Sequence, residues 1–136
     1  MYIPAAELKK FKTIDDLSGI IRTLRGPDGC PWDKKQTHQS IKDLIKEEAE
    51  EVADAIDNDD IENLVEELGD VLLHIMFHCE LGAEEGWFNF NDVTDAICKK
   101  LIFRHPHVFS DMQIEEKDLP EMWEKLKKIE KNMKKS

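Results

Sequence analysis

Apolar residues recur at intervals of three and four along most of this sequence, and no alternating run of apolar and polar residues reaches strand length. The first such series consists of Ile14, Leu17, Ile20, Ile21 and Leu24. This spacing places side chains on one face of an α-helix. Strands would need alternation, and no Asn-Gly or Asp-Gly pair joins two alternating runs. The sequence therefore predicts an all-α fold.

Periodicity and capping residues together predict the helix boundaries. The expected ranges are about 13–25, Thr37 or Ser40 through Asp57, Ile61 (capped by Asp59) to about Glu85, Asn91 to just before Pro106, and 119–134. A loop rich in glycine and proline, residues 25–33, separates the first two helices. We expect a helical bundle of four to five helices in a single domain spanning 1–136, with a core of about 14–110 and a C-terminal helix of about 119–134.

The charge balance excludes some classes of partner. The 136 residues include 30 acidic and 19 basic side chains, giving a formal net charge of −11. Such a surface repels a phosphate backbone, so no nucleic-acid partner is expected. No stretch is apolar enough to span a membrane, and residues 1–10 do not resemble a secretory signal. The widely spaced Cys30, Cys79 and Cys98 predict reduced thiols, and hence a cytoplasmic protein without a membrane partner.

Two helices each present a pair of carboxylates three residues apart. Glu48 falls within the apolar stripe of the second helix and Glu51 lies at its edge, whereas Glu67 and Asp70 share one flank of the third helix. A carboxylate that faces the interior is costly unless a cation or hydrogen bonds compensate it. Clustered oxygen ligands suit Mg²⁺ or Mn²⁺ better than zinc. These four residues are predicted to form a site for a divalent cation.

The fourth helix carries cations on its apolar face. Val93, Ala96 and Ile97 define that face, and Lys100 and Arg104 continue it. Inward cations near a carboxylate cluster suggest a bridging anion such as phosphate. Direct salt bridges to the glutamates are the alternative.

In these residues the sequence resembles the MazG nucleoside triphosphate pyrophosphohydrolases of the all-α NTP pyrophosphatase superfamily. The family signature, Glu-Glu-x-x-Glu followed by Glu-x-x-Asp, is matched by the segments 47–51 and 67–70. Two flanking segments are typical of MazG itself: Gly-Cys-Pro-Trp-Asp-Lys-Lys-Gln-Thr at 29–37 and Arg-His-Pro-His-Val-Phe at 104–109. The resemblance covers about residues 14–130.

The resemblance implies Mg²⁺-dependent hydrolysis of NTPs or dNTPs to the monophosphate and pyrophosphate, with Mn²⁺ as a substitute metal. It implies a helical bundle that works as a homodimer or homotetramer. The implied metal ligands are Glu48, Glu51, Glu67 and Asp70. Glu47 would be a further metal ligand or the catalytic base. The implied catalytic glutamates are Glu47 and Glu48. Lys100 and Arg104 would contact the phosphates of the substrate and are also implied to be catalytic. Trp123 would lie near the nucleotide base.

Several alternatives remain open at the level of sequence. Trp32 either stacks on a nucleotide base or anchors its loop on the bundle, and His74 is expected to be a hydrogen-bonded core histidine. Two alternative functions to an NTP pyrophosphohydrolase also remain. One is a non-catalytic nucleotide-binding regulator, and the other is a sister phosphoribosyl-ATP or dUTP-type pyrophosphohydrolase. A di-iron carboxylate bundle is set aside, because neither His74 nor His78 has a glutamate three residues before it.

Overall fold

All regular structure in the described part of the chain is helical. The computed structural model describes residues 13–135, so the prediction made for residues 1–10 lies outside it. The helices are α1 (Ile14–Leu24), α2 (Pro31–Lys35), α3 (His38–Ile41), α4 (Leu44–Asp57), α5 (Ile61–Glu85), α6 (Phe90–Arg104), α7 (Pro106–Phe109) and α8 (Leu119–Lys135), with a 3₁₀ turn at Glu116–Asp118. The predicted all-α fold is confirmed.

The described residues fall into two compact units, one ending at Phe90 and the other beginning at Asn91. In the first unit, α5 packs against both α4 and α1. Helices α4 and α5 are joined by only three residues, 58–60, which makes them a helical hairpin. The buried core of this unit consists of Ile21, Ile41, Met76, Phe77 and Leu81.

Local capping chemistry sets the ends of the long helices. The Thr13 hydroxyl accepts from the Asp16 amide and the Asp16 carboxylate accepts from the Thr13 amide, which starts α1 with a capping box. Helix α5 is capped by Asp60, whose carboxylate accepts from the Asn63 amide. The prediction that Asp59 caps this helix is wrong, because Asp59 adopts a positive φ of 52° in the turn before it. Gly86 ends α5 at φ 74°, a conformation that glycine adopts without strain.

The predicted second helix is interrupted, and this expectation is corrected. Thr37 and Ser40 cap each other at the start of the one-turn helix α3, and α4 begins only at Leu44. Lys42 and Asp43, between them, keep right-handed helical dihedral angles. The side chains therefore stay in phase across the interruption, so apolar spacing alone could not reveal it. The short helix α2 inside the glycine- and proline-rich loop was also not predicted.

A histidine pair joins α3 to α5. The Nδ1 atoms of His38 and His78 are 2.7 Å apart, the ring centroids are 5.0 Å apart, and the ring planes differ by 4°. Two coplanar imidazoles with their Nδ1 atoms this close share a single proton in an in-plane hydrogen bond. Burial, followed by the nearby His38 and His74, lowers the pKa of His78. The hydrogen bond between the two rings thus ties α3 to α5.

Arg25 holds the loop between α1 and α3. Its guanidinium donates to both carboxylate oxygens of Glu84, at 2.6 and 3.0 Å, and to the carbonyl oxygens of Asp33 and Gln36. The Arg25 side chain is only 10% exposed. A second tie between α1 and α5 is made by Glu80, which is buried and accepts hydrogen bonds from Ser18 and Arg22.

The second unit contains most of α6, together with α7, the 3₁₀ turn and α8. Among the described residues of this unit, the buried side chain is Met122 on α8. The Trp123 indole N–H donates to the carbonyl oxygen of Arg104, the last residue of α6, at 3.0 Å. A bidentate ion pair between Arg104 and Glu130 makes a second link between α6 and α8.

Two further expectations can be compared with the structure. All three cysteines are free thiols, as predicted, with Cys79 buried and Cys98 exposed. Among residues 13–135, no helix combines the length and the apolar character that crossing a bilayer requires.

The loop anchored by Arg25 yields a stability prediction. Arg25→Ala should lower the free energy of unfolding by about 2 kcal/mol, because a charged donor with four acceptors is lost from a nearly buried position. Urea denaturation measures this. As a control, Lys46→Ala removes an exposed ion pair with Asp43 and should change stability by less than about 0.5 kcal/mol. Equal effects of the two variants would show that Arg25 does not anchor the loop.

Candidate active site

The helical hairpin of α4 and α5 brings carboxylates from both arms to one point. One carboxylate oxygen each from Glu48, Glu67 and Asp70 lies within 4.8 Å of the other two. Glu51, one turn after Glu48, interacts with both Glu48 and Glu67. The four residues predicted as metal ligands are therefore neighbours in the structure.

The oxygen spacing is compatible with a small divalent cation. Mg²⁺ binds oxygen at about 2.0–2.1 Å in an octahedron, so opposite ligands are about 4.2 Å apart and adjacent ones about 2.9 Å. The three oxygens of Glu48, Glu67 and Asp70 fall within this range after sub-ångström adjustment of flexible side chains. All the donor atoms are carboxylate oxygens, the chemistry that Mg²⁺ and Mn²⁺ prefer.

The electrostatics of this cluster provide a test of whether it fits a cation. Oε2 of Glu48 and Oε2 of Glu67 are buried, and no donor in the described part of the chain reaches either atom. The pKa of Glu67 is raised from 4.5 to about 7, first by its contact with Glu51, then by burial and by Glu48. Burial, followed by contact with Glu51, raises the pKa of Glu48. Close carboxylates without a donor need either shared protons or a cation, so the cluster fits a metal ion.

Glu47 has a different position from these four residues. It lies in the first turn of α4 and is exposed to solvent. Glu50, on the same helix, is also exposed. Because residues four apart are neighbours on a helix, Glu47 projects beside Glu51. A role for Glu47 beside the cluster therefore remains a prediction.

The predicted phosphate ligands lie in the second unit. Lys100 lines a groove of about 730 Å³ between α6 and α8, whose apolar lining includes Val93, Ile97 and Phe103. Arg104 lies one turn after Lys100, and its guanidinium Nη2 donates a hydrogen bond to Oε2 of Glu130 at 2.8 Å. The cations on α6 thus have a carboxylate partner from their own unit, and this partner was not predicted.

The two tryptophans predicted to contact substrate occupy different environments. Trp32 lies on α2, in the loop held by Arg25, and is 55% exposed. Its backbone carbonyl accepts a hydrogen bond from the Gln36 side chain. Trp123 is half-buried, and besides its hydrogen bond to Arg104 its ring meets the edge of His105 at 6.1 Å. Trp32 therefore offers a free aromatic face, whereas the indole N–H of Trp123 is already used.

Sequence reasoning missed Glu130. It is the acidic residue seven positions after Trp123, so both side chains lie on the same face of α8. That spacing was visible in the sequence, but Arg104 is 26 residues away, and only the fold shows that they meet. His74, predicted as a hydrogen-bonded core histidine, is half-buried and close enough to His78 to influence its pKa.

A helical hairpin with converging carboxylates defines an all-α domain that carries a candidate site for a divalent cation. The family model described as the MazG nucleotide pyrophosphohydrolase domain matches residues 36–109, which is more than half of the chain. The chain therefore belongs to the MazG family. The matched segment contains all four clustered carboxylates as well as Lys100 and Arg104.

Similar proteins agree with this assignment. The Escherichia coli nucleoside triphosphate pyrophosphohydrolase is 45% identical over 123 residues, 89% of this chain and 47% of that protein. The Thermotoga maritima nucleoside triphosphate pyrophosphohydrolase/pyrophosphatase MazG is 44% identical over 122 residues, 90% of this chain and 47% of that protein. Bacillus subtilis YabN, described as uncharacterized, is 47% identical over 135 residues, 97% of this chain and 28% of that protein. The chain thus spans half or less of the length of these curated relatives.

The fold is also similar to a solved structure. The crystal structure of a mazG-related protein from Thermotoga maritima matches with a TM-score of 0.69 and 28% sequence identity. The match covers 85% of this chain and 99% of that one. Similarity over this length agrees with the all-α architecture described above.

The raised pKa of Glu67 predicts how stability depends on pH. An acid whose pKa is higher in the folded protein stabilises it fully below the unfolded value, and this contribution is lost as the pH rises through the folded value. In metal-free buffer the melting temperature should therefore fall between about pH 4.5 and pH 7. Saturating Mg²⁺ should oppose the fall, because it binds the ionised carboxylates.

Glu67→Gln isolates this contribution, because glutamine is isosteric and does not titrate. The melting temperature of Glu67→Gln, followed by circular dichroism from pH 4.5 to 7.5, should fall less steeply than that of the wild type. Glu62→Gln, near the start of the same helix and exposed, is the matched control and should follow the wild-type curve. Identical slopes for all three proteins would contradict the assignment.

Proposed function

We propose that this chain is a nucleoside triphosphate pyrophosphohydrolase domain, converting NTPs or dNTPs to the monophosphate and pyrophosphate. The observation that carries the proposal is the cluster of carboxylate oxygens from Glu48, Glu67 and Asp70 within 4.8 Å of one another. Membership of the MazG family and the printed names of the relatives from E. coli and T. maritima support it.

Each residue of the cluster has a proposed role. Glu48, Glu51, Glu67 and Asp70 hold Mg²⁺, and Mn²⁺ can replace it. When bound, the metal supplies charge neutralisation on the phosphates and lowers the pKa of a coordinated water. Glu47 or Glu48 accepts the proton of the attacking water, as a carboxylate general base. A protein with a net charge of −11 needs such a cation to accept a polyanionic substrate.

The cations of α6 act on the leaving group in this proposal. Lys100 and Arg104 bind the phosphate oxygens that become pyrophosphate, where negative charge grows during the reaction. Trp32 and Trp123 are proposed contacts of the nucleotide base. Of the two, Trp32 is the better candidate for stacking, since more than half of its side chain surface is exposed.

Two metal-ligand variants test the catalytic proposal. Glu48→Gln and Asp70→Asn should each lower the rate of pyrophosphate release from NTP with Mg²⁺ by at least about 100-fold, because loss of even an outer-shell partner of a metal costs 10- to 100-fold. Glu50→Gln, an exposed neighbour on α4, should retain wild-type activity. Full activity in both ligand variants would place the reaction elsewhere in the protein.

A substrate panel separates the alternatives to this proposal. All common NTPs and dNTPs, dUTP included, and phosphoribosyl-ATP are assayed with and without Mg²⁺. Preference for phosphoribosyl-ATP or dUTP alone would favour a sister enzyme. Calorimetric binding of NTP and Mg²⁺ without pyrophosphate release would favour a nucleotide-binding regulator.

The chain is further proposed to act as a homodimer or homotetramer in the cytoplasm. Ile61, Val65, Leu68 and Leu72 follow one another on a single face of α5, and each is between 36% and 68% exposed. Ile56 on α4 adds a further exposed apolar side chain to the first unit. A continuous apolar stripe of this length on a charged protein is typical of an interface.

A charged residue introduced into the apolar stripe of α5 tests whether the protein self-associates. Val65→Lys should shift the mass measured by light scattering towards that of the monomer, because a lysine would be buried without a partner at the interface. Val108→Lys changes an equally exposed valine on α7, in the second unit, and should leave the mass unchanged. A monomeric wild-type protein would refute the proposed oligomer directly.

A further inference from the structure

Two side chains of helix α8 contact Arg104, one at its backbone and one at its side chain. The Trp123 indole N–H donates to the backbone carbonyl of Arg104 at 3.0 Å. Seven residues later, on the same face of α8, Glu130 accepts from the Arg104 guanidinium. Arg104 is the last residue of α6, where helices usually fray, and two contacts from one neighbouring helix fix both its backbone and its side chain.

The contact with Glu130 uses one defined edge of the guanidinium. Nε donates to both carboxylate oxygens at 3.1 and 3.2 Å, and Nη2 donates to Oε2 at 2.8 Å. Nη1 makes no hydrogen bond to any residue in the described part of the chain. Because the guanidinium is planar and rigid, holding its Nε edge also fixes the direction of Nη1 and of the outer proton of Nη2. The remaining edge is suited to a second bidentate oxyanion.

Glu130 has cations as well as apolar side chains around it. Its side chain is 17% exposed, and it lines the groove between α6 and α8 together with Lys99, Lys100 and Lys134. Contact with Arg104, assisted by Lys100 and Lys134, lowers the pKa of Glu130, so it stays ionised at any physiological pH. Lys99 is itself paired with Asp95 at 2.8 Å, so Arg104, Lys100 and Lys134 are the cations that act on Glu130.

We propose that Glu130 and Trp123 are positioning residues that hold the free edge of Arg104 towards the phosphate chain of the substrate. This inference rests on the proposed function. Neither residue contacts the reacting atoms: Glu130 orients the guanidinium and Trp123 fixes the end of α6. The arrangement reduces the side-chain entropy that Arg104 would otherwise lose on binding a phosphate.

Two conservative variants test the proposal through binding and kinetics. Glu130→Gln keeps the shape but offers a single acceptor oxygen, and Trp123→Phe keeps an aromatic ring without the N–H donor. Glu130→Gln should raise KM for NTP and lower kcat, so that kcat/KM falls about tenfold, because the guanidinium binds phosphate oxygens whose negative charge grows in the transition state. Trp123→Phe should raise KM about threefold, because it removes one neutral hydrogen bond.

Pyrophosphate supplies a readout that does not require turnover. Its Kd, measured by calorimetry with Mg²⁺ present, should rise about tenfold in Glu130→Gln. Glu121→Gln is the matched control on α8, where Glu121 is exposed and paired only with Lys125, and it should leave both Kd and KM unchanged. An unchanged Kd and KM in Glu130→Gln, in a protein that hydrolyses NTP, would overturn the inference.

A charge swap separates positioning from a purely structural ion pair. In the double variant R104E/E130R the pair can re-form, so the melting temperature should recover relative to R104E alone, whereas activity should stay as low as in R104E. Recovery of activity as well would show that the pair only ties α6 to α8. Wild-type protein that binds pyrophosphate but releases none from any NTP would refute the proposed function, and the change in Kd would still test the role of Glu130.

Discussion

The mutual repulsion of carboxylates between α4 and α5 is the interaction on which the rest of the molecule depends. Glu48, Glu51, Glu67 and Asp70 would separate in a flexible chain, and the apolar packing of α5 against its neighbours holds them together. The raised pKa of Glu67, about 7, is a direct consequence of this proximity. A cation would relieve the repulsion with only a sub-ångström adjustment of side chains, which links the stability of the hairpin to its proposed chemistry.

The second unit has the opposite arrangement, because cations surround a single carboxylate, Glu130. Glu130 pairs with Arg104 and lines a groove with three lysines, so it neutralises part of their positive charge. A carboxylate that remains ionised beside Arg104 keeps the guanidinium in one orientation, which would favour bidentate contact with a phosphate over nonspecific attraction. Negative charge thus gathers where a metal would bind, and positive charge gathers where phosphate would bind.

Local signals in the sequence predicted most helix positions but could not resolve the turns between helices. The periodicity around Ile14–Leu24 and Ile61–Glu85 agrees with α1 and α5, because one face of each packs on the core. The interruption at Lys42 and Asp43 was missed, since both residues keep helical dihedral angles and leave the spacing intact. The cap of α5 was misplaced by one residue, because two successive aspartates offer the same side chain and only the backbone of the turn selects Asp60.

The sequence by itself determined the all-α class and the four carboxylates of the hairpin, because helical spacing places Glu48 among apolar positions and puts Glu67 and Asp70 on one flank of α5. Only the tertiary structure decided which oxygens lie within 4.8 Å, and that Arg104 is paired with Glu130. The physical reason is the range of each signal. Periodicity reports which face of a helix is apolar, whereas a contact between residues 26 positions apart depends on how two helices pack, which no local pattern encodes.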